Sequence, residues 1–362
     1  MKKILYGGCF LLITIIICGC FSPWRGDEGN LSIVWGHSGN SRGYISQTDF
    51  ESLDMFKVIL KGPGGTIEEE FRGKPGASFS VIPGTWSVVV KGYLVSNQAD
   101  LKAMGIEQIE VKTGKRTSEV INMYSAVEVG DWWTLHDCVD TIGTQFTGPT
   151  RPFIIVIKDS FKAENQGPVS TISTNKSAIL VAEKPVTITR DLSSVFMSQF
   201  FSVTGGGTLT LGKPGMIGTI TLDGSFDGIT LTFYVIEVDG SYPANKLEMY
   251  DGVTIKNNRS SLNGSGVFVG QLASFVMNGG TIINNTANHS GTPQGGGVYV
   301  AGAFTMNGGT IRDNAARNIL GPGVGGGVYV VAGVSTPGIF NQPYRGTISG
   351  NFPDNIFPWP LP

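Results

Sequence analysis

The sequence predicts an all-β protein, a single-stranded parallel β-helix preceded by a small antiparallel β-sandwich. Three observations carry that expectation. The first is repetition: Phe275-Val276-Met277-Asn278-Gly279-Gly280-Thr281-Ile282-Ile283-Asn284-Asn285 returns as Phe304-Thr305-Met306-Asn307-Gly308-Gly309-Thr310-Ile311-Arg312-Asp313-Asn314. A second phrase keeps step with it, Gly264-Ser265-Gly266-Val267, then Gly295-Gly296-Gly297-Val298, then Gly325-Gly326-Gly327-Val328. The period is about 30 residues, the mark of stacked identical units. The second observation is run length. Phe304–Met306, Gly309–Asp313 and Gly327–Val330 are too short for helices, β-branched or alternating, and bounded by Gly or Asn. The third is Ile-x-x-Asn, which recurs as Ile255…Asn258, Ile282…Asn285, Ile311…Asn314 and Ile348…Asn351. Stacking identical coils puts Ile over Ile in the core and Asn over Asn at a corner, where amides can hydrogen-bond up a ladder.

The elements follow in chain order. Lys2 and Lys3 precede an apolar run from Ile4 to Cys18, placed like a signal segment and too short for a comfortable membrane span. Residues 1–19 are therefore read as a signal peptide and 20–30 as a flexible tether, from Ser22, Pro23, Gly26, Asp27, Glu28, Gly29 and Asn30. Residues 31–127 read as a sandwich of short non-repeating strands, such as Phe56–Leu60, Ser78–Ile82 and Trp86–Val90. Turns are expected at Gly62-Pro63-Gly64-Gly65, Pro83-Gly84 and Thr113-Gly114-Lys115.

Residues 128–149 form an entry segment. In it, Asp131 is a plausible N-cap and Trp132, Leu135 and Val139 share one face of a short helix. A solenoid end exposes core and strand edge, so this helix is read as its lid. Residues 150–351 are the β-helix, roughly seven coils rising ~4.8 Å each, about 35 Å in all. Residues 352–362, rich in Pro and aromatics, are a C-terminal cap or tail.

Composition excludes several functions. The formal charge of −2 with no basic stripe gives no purchase on nucleic acid. Charge is thin in the repeats: from Ser261 to Pro362 only Arg312, Asp313, Arg317, Arg345 and Asp354 carry any. His37, His136 and His289 fall in separate regions without metal-ligand spacing, and His289 reads as a solvated loop residue. No Gly-Lys-Ser/Thr phosphate loop is present, and no cofactor is expected. Carbohydrate-cleaving chemistry needs carboxylates converging on one face. The acidic candidates are Asp223, Asp227, Asp239 and Asp251, and Asp223-Gly224 reads best as a turn. Once Cys9, Cys18 and Cys20 are assigned to the leader and anchor, Cys138 has no disulfide partner. It is expected to pack as a small apolar residue.

Three resemblances extend this reading. Ile17-Cys18-Gly19-Cys20 resembles a bacterial lipobox. That resemblance implies lipidation of Cys20 as the mature first residue, although Cys18 departs from the usual pattern. Val81-Ile82-Pro83-Gly84-Thr85-Trp86 resembles the Pro-Gly-x-Trp turn of carboxypeptidase-regulatory-like modules over one hairpin, which implies a spacer or presenting domain.

The pairing of Gly-Gly-Gly-Val with Ile-x-x-Asn resembles the repeats of chlamydial polymorphic outer-membrane proteins, and more closely those of spirochaete repeat lipoproteins. It covers about 245–351. The resemblance implies a pectate-lyase-like right-handed solenoid in an exported adhesin or antigen. The leading expectation is a non-enzymatic lipoprotein, lipid-anchored to the outer membrane, on its surface or periplasmic face. It would present the β-helix to host proteins or glycans. A carbohydrate-active β-helix enzyme and a structural periplasmic lipoprotein stay open as alternatives.

Overall fold

The computed structural model describes residues 28–358, apart from 37–44, 74, 95–99, 142–151, 165–169, 174–175, 193–198, 226–232, 319, 333–337 and 343–345. The signal segment, Cys20 and most of the tether lie outside the described residues, as do Asp227 and Trp359. Eight strands open the fold: β1 (Gly29–Gly36), β2 (Met55–Gly62), β3 (Gly65–Arg72), β4 (Gly76–Val81), β5 (Gly84–Tyr93), β6 (Leu101–Val111), β7 (Arg116–Asn122) and β8 (Tyr124–Val129). Strands β4, β1 and β7 make one small sheet, and β3, β2, β5 and β6 face it. Between them Leu31, Ile33, Trp35, Val58, Leu60, Trp86, Val88 and Val90 are buried as one core. Pairing is antiparallel except that β1 runs parallel to β7.

One turn expectation holds and another changes character. Gly62↔Gly65 closes the β2–β3 hairpin. Pro83-Gly84, by contrast, joins β4 to β5, which lie in different sheets, so it is a crossing corner and not a hairpin. The Trp86 indole donates to Ile82 O at 2.8 Å and braces that corner.

Residue 127 lies within β8, which links the module to the solenoid. Strand β8 pairs antiparallel with β6 and parallel with Phe153–Ile157, the first solenoid strand. One twelve-stranded sheet therefore runs from β3 to the last coil. The β6–β8 link is slight, only Ala103↔Ser125 and Met104↔Tyr124. Side chains reinforce it. Ile59, Val89, Met104 and Ile106 of the module share an apolar cluster with Ala126, Ile154, Val156, Ile179 and Val181, on the outer face of the first solenoid strands. Met216 and Ile217, from a loop of the third coil, pack on the same cluster.

Polar contacts ring this junction. Lys213 Nζ donates to Ile106 O at 2.5 Å, and Lys61 Nζ donates to Ile217 O at 3.2 Å. Lys91, almost wholly buried, bridges Glu128 at 2.8 Å and Glu183 at 3.0 Å. Burial opposes its charge, but Glu183 and Glu128 outweigh burial and hold its pKa above the usual lysine value.

Three parallel sheets of seven strands build the solenoid. The first holds Phe153–Ile157, Ser177–Val181, Thr208–Leu211, Lys246–Met249, Ser274–Met277, Ala303–Met306 and Ile339–Asn341. The second holds Phe161–Ala163, Pro185–Arg190, Thr219–Asp223, Val253–Lys256, Thr281–Ile283, Thr310–Arg312 and Thr347–Ser349. The third holds Ser170–Ile172, Phe201–Val203, Ile236–Val238, Val267–Val269, Val298–Val300, Val328–Val330 and Ile356–Phe357. Alternation along each strand turns one residue set inward. Ile255, Ile282 and Ile311 are fully buried, and Ile348 in the last coil is partly so. Each such side chain contributes roughly 1.5–3 kcal/mol relative to exposure.

The helix α1 (Gln47–Glu51) lies in the module, and α2 (Trp132–Thr141) covers the first coil. Asp131 caps α2 by accepting from Thr134 N at 2.8 Å. Trp132 is buried edge-on to Phe200, with ring centroids 6.1 Å apart, while Trp133 is exposed and donates to Glu164. Only one tryptophan of the pair therefore packs as a lid. Cys138 packs partly buried against the core, and burial pushes its thiol pKa up to about 12. Among the described residues no helix is long and apolar enough to cross a membrane.

Candidate functional site

The Ile-x-x-Asn positions come together as two columns. Register pairs Ile255↔Ile282↔Ile311↔Ile348 in the core. The asparagines form a ladder at the corner after the second sheet. Asn285 Oδ1 accepts from Asn258 N at 3.1 Å, Asn314 Oδ1 from Asn285 N at 2.9 Å, and Asn351 Oδ1 from Asn314 N at 2.9 Å. Each amide also donates inward: Asn285 Nδ2 to Ile255 O, Asn314 Nδ2 to Ile282 O, and Asn351 Nδ2 to Ile311 O. The ladder ends on Asn355 Oδ1, which accepts from Asn351 N at 3.2 Å, so the segment after 351 closes the column. The residue before each rung is left-handed: Asn257 at φ 54°, Asn284 at 56°, Asp313 at 56° and Gly350 at 66°.

The glycine phrase answers the asparagine phrase. A Cβ on Gly297 would lie 2.6 Å from Gly327 O, 3.0 Å from Asn314 Nδ2 and 3.1 Å from Ile311 Cγ2. Gly266 stands in the same relation to Asn285 and Ile282. The chain entering the third sheet thus passes close against the ladder, and a side chain has no room. At the other corner, the Asn-Gly-Gly turn, the positive φ belongs to Gly309 (84°) and not to Gly308. Gly308 is constrained by contact instead, since its Cβ would meet Asn278 O at 2.6 Å.

Outside the core, side chains also stand in columns. On the third sheet Tyr234, Phe268, Tyr299, Tyr329 and Phe357 stack with centroids 4.9, 5.3, 5.4 and 5.7 Å apart. Their planes lie within 20° of parallel, so the ring faces are spent on one another and only rims meet solvent. Glu237 heads the column beside Phe268, accepting from Gln199 Nε2 at 2.8 Å and Ser202 Oγ at 3.3 Å. Burial raises its carboxyl pKa above the ordinary value, with Asp239 adding to the shift. Burial likewise pushes the Tyr234 phenol up to about 12.

Asp223, Asp239 and Asp251, the described carboxylates among those weighed for hydrolysis, do not share a face. Asp223 ends a second-sheet strand, paired with Lys256 at 3.2 Å and accepting from Ser225 N. Asp251 lies at the corner between first and second sheets, accepting from Gly280 N at 3.1 Å. Asp239 follows a third-sheet strand and accepts from Ser241. Among the described residues no group of three or more His, Cys, Asp or Glu side chains is placed to hold a metal ion.

His289 departs from the expected solvated loop residue. Its Nδ1 accepts from Gly291 N, so Nε2 carries the proton and donates to Asn263 Oδ1 at 2.8 Å. Burial lowers its pKa.

Comparison with family models, with curated proteins and with solved structures gives no match for this chain.

Proposed function

We propose that the protein is a non-enzymatic, lipid-anchored envelope protein whose β-helix is displayed for adhesion or antigen presentation. The observation that carries the reading is the mount. The N-terminal module packs on the flank of the first coils through a shared sheet, an apolar cluster and the Lys91–Glu128–Glu183 bridge. Its contacts described above reach solenoid residues no later than Ile217, and the clearest repeats lie beyond them. A chain tethered ahead of β1 would hold those repeats as a rigid body, without a hinge between module and coil. Dispersal of Asp223, Asp239 and Asp251 over separate edges favours recognition over hydrolysis.

Protease treatment of intact source cells, with a periplasmic marker as control, tests the display. Digestion of the repeats while the marker survives is the expected result. Protection until the outer membrane is opened would overturn it. Metabolic labelling with a fatty acid, lost in Cys20→Ala, tests the anchor.

A further inference from the structure

Sequence register on the second sheet carries a pattern that the core does not need. Thr187↔Thr221↔Thr254↔Thr281↔Thr310↔Thr347 are direct neighbours in six successive strands. Ser160, whose Oγ accepts from Thr187 N at 2.9 Å, precedes them in the first coil. Their chain neighbours Ile188, Leu222, Ile255, Ile282 and Ile311 are fully buried, so alternation turns the hydroxyl residues outward.

Strand propensity favours threonine, and Thr–Thr neighbours stabilise a sheet. Propensity alone does not account for the uniformity. The matching outward column of the first sheet reads Ile179 under the module, then Thr210, Glu248, Val276, Thr305 and Asn341 with the same alternation. A single side-chain type persists over the whole stack only on the second sheet.

The column has banks. On one side the Asn-Gly-Gly corners bring Gly280 and Gly309 level with it, and neither has a side chain. On the other stand Lys162, Thr189, Asp223, Lys256, Ile283 and Arg312, in register with one another. Lys256 is paired with Asp223 at 3.2 Å and Arg312 with Asp313, while Lys162 stands exposed at the first coil. From the second coil onward that face therefore offers hydroxyls at one strand spacing, ~4.8 Å, beside charges that are paired.

We propose that this face binds a linear neutral polysaccharide lying along the solenoid axis, with successive sugar units meeting successive threonines. Three features select that occupant. A pyranose unit is only slightly longer than one strand step, so a few neighbouring units stay level with neighbouring threonines before the register slips. Threonine presents a hydroxyl and a methyl together, suited to the hydroxyls and C–H faces of a sugar. Beyond Lys162 at the first coil the neighbouring charges are already paired, which leaves little attraction for an anionic chain along the column. The stacked rings of the third sheet make a poorer platform, because their faces are covered by each other.

This names a partner class for the display reading and rests on it only for access. Binding by the purified full chain can fail while surface exposure on cells holds, and the reverse. Calorimetric titration with hexasaccharides of β-1,4-glucan, β-1,4-xylan and chitin is the test, with polygalacturonate as the charged control. Binding of at least one neutral chain, insensitive to salt, is expected. Replacing Thr254, Thr281 and Thr310 together by Val keeps shape and strand preference, and should weaken binding roughly tenfold or more. The corresponding Thr→Ser set keeps the hydroxyls and should retain binding, with both sets melting near the parent. No binding by any neutral chain overturns the proposal. So does equal binding by the Val set, or binding of polygalacturonate alone with salt sensitivity.

Discussion

Asn314 is the rung where the corner can be tested most cleanly. It is 1% exposed and is tied on both sides. Its Oδ1 accepts from Asn285 N at 2.9 Å and Asn285 Nδ2 at 3.0 Å. Its Nδ2 donates to Ile282 O, Arg312 O and Asn351 Oδ1, each at 3.0 Å. Asn314→Ala strands one buried backbone group, Asn285 N–H, at about 1–3 kcal/mol, and removes the side-chain bond to Ile282 C=O, which stays in the strand ladder, at about 0.5–1.5 kcal/mol. The Asn285 amide keeps Ile255 O and Ile283 O, so its loss is smaller. The sum is about 1.5–4.5 kcal/mol, against a total stability of about 5–15 kcal/mol for a domain.

Asn351→Ala is the internal control. Asn351 is only half-buried and sits in the last coil, so the groups it would leave, Asn314 N–H and Ile311 C=O, open toward the end of the stack. Water can replace more of what it loses, and about half the cost is expected. Urea unfolding followed by far-ultraviolet circular dichroism measures both, with the slope checked for constancy, because stacked repeats can lose two-state behaviour. An Asn314→Ala chain within about 0.5 kcal/mol of the parent, at unchanged slope, would show that the ladder merely tolerates the bend.

Four further outcomes are expected. Ile311→Asp puts a carboxylate in a fully buried core position and should abolish the cooperative transition; an unchanged melt would refute the coil register. Gly65→Ala, at φ 99° with open space around it, should cost about 1 kcal/mol through backbone strain alone, whereas Gly297→Ala should cost clearly more because Gly327 O stands 2.6 Å from the new Cβ; thermal melts of the two variants decide it. Burial opposes ionisation of Glu128, but its bonds to Lys91 and Lys158 lower its pKa below the ordinary 4.5, so its stabilisation is present above that value and lost as pH falls through the folded pKa. Glu128→Gln should therefore destabilise at neutral pH and flatten the acid limb below about pH 4.5, measured by unfolding across pH. Cys138, with its thiol pKa at about 12, should react with a disulfide reagent at pH 8 only after denaturation; fast labelling of the native chain would contradict the packing.

The solenoid was legible because its signals are local and repeated. Ile282 and Ile311 report their stacking through chain spacing alone, and the register pairs them directly. The geometry of individual corners was less legible. Asn-Gly-Gly does not say which glycine turns left-handed, since Gly308 is held by contact with Asn278 O and Gly309 by its φ. His289 misled for a related reason. Its partner Asn263 lies one coil earlier, and only the stacking brings the two within 2.8 Å. The aromatic column had a signal in Phe268, Tyr299 and Tyr329, each the residue between two buried valines of its repeat.

The junction with the module was the least legible part, yet it too left a trace in the residues. A solenoid strand with one wet face alternates, as Ala303-Phe304-Thr305-Met306 does, whereas a strand covered on both faces reads as an unbroken apolar run. Phe153-Ile154-Ile155-Val156-Ile157 and Ala178-Ile179-Leu180-Val181 are such runs, and both occur in the first two coils. In the structure Ile155 and Leu180 face the solenoid core, while Ile154, Val156, Ile179 and Val181 face the module. By the third coil alternation has returned, in Thr208-Leu209-Thr210-Leu211, where the loop carrying Met216 and Ile217 closes the cluster. The outward apolar residues thus end where the module's cover ends. A module acting only as a flexible spacer would need no apolar outer face on the first coils. These residues belong to a fixed mount, and the coils beyond them are not covered by the module.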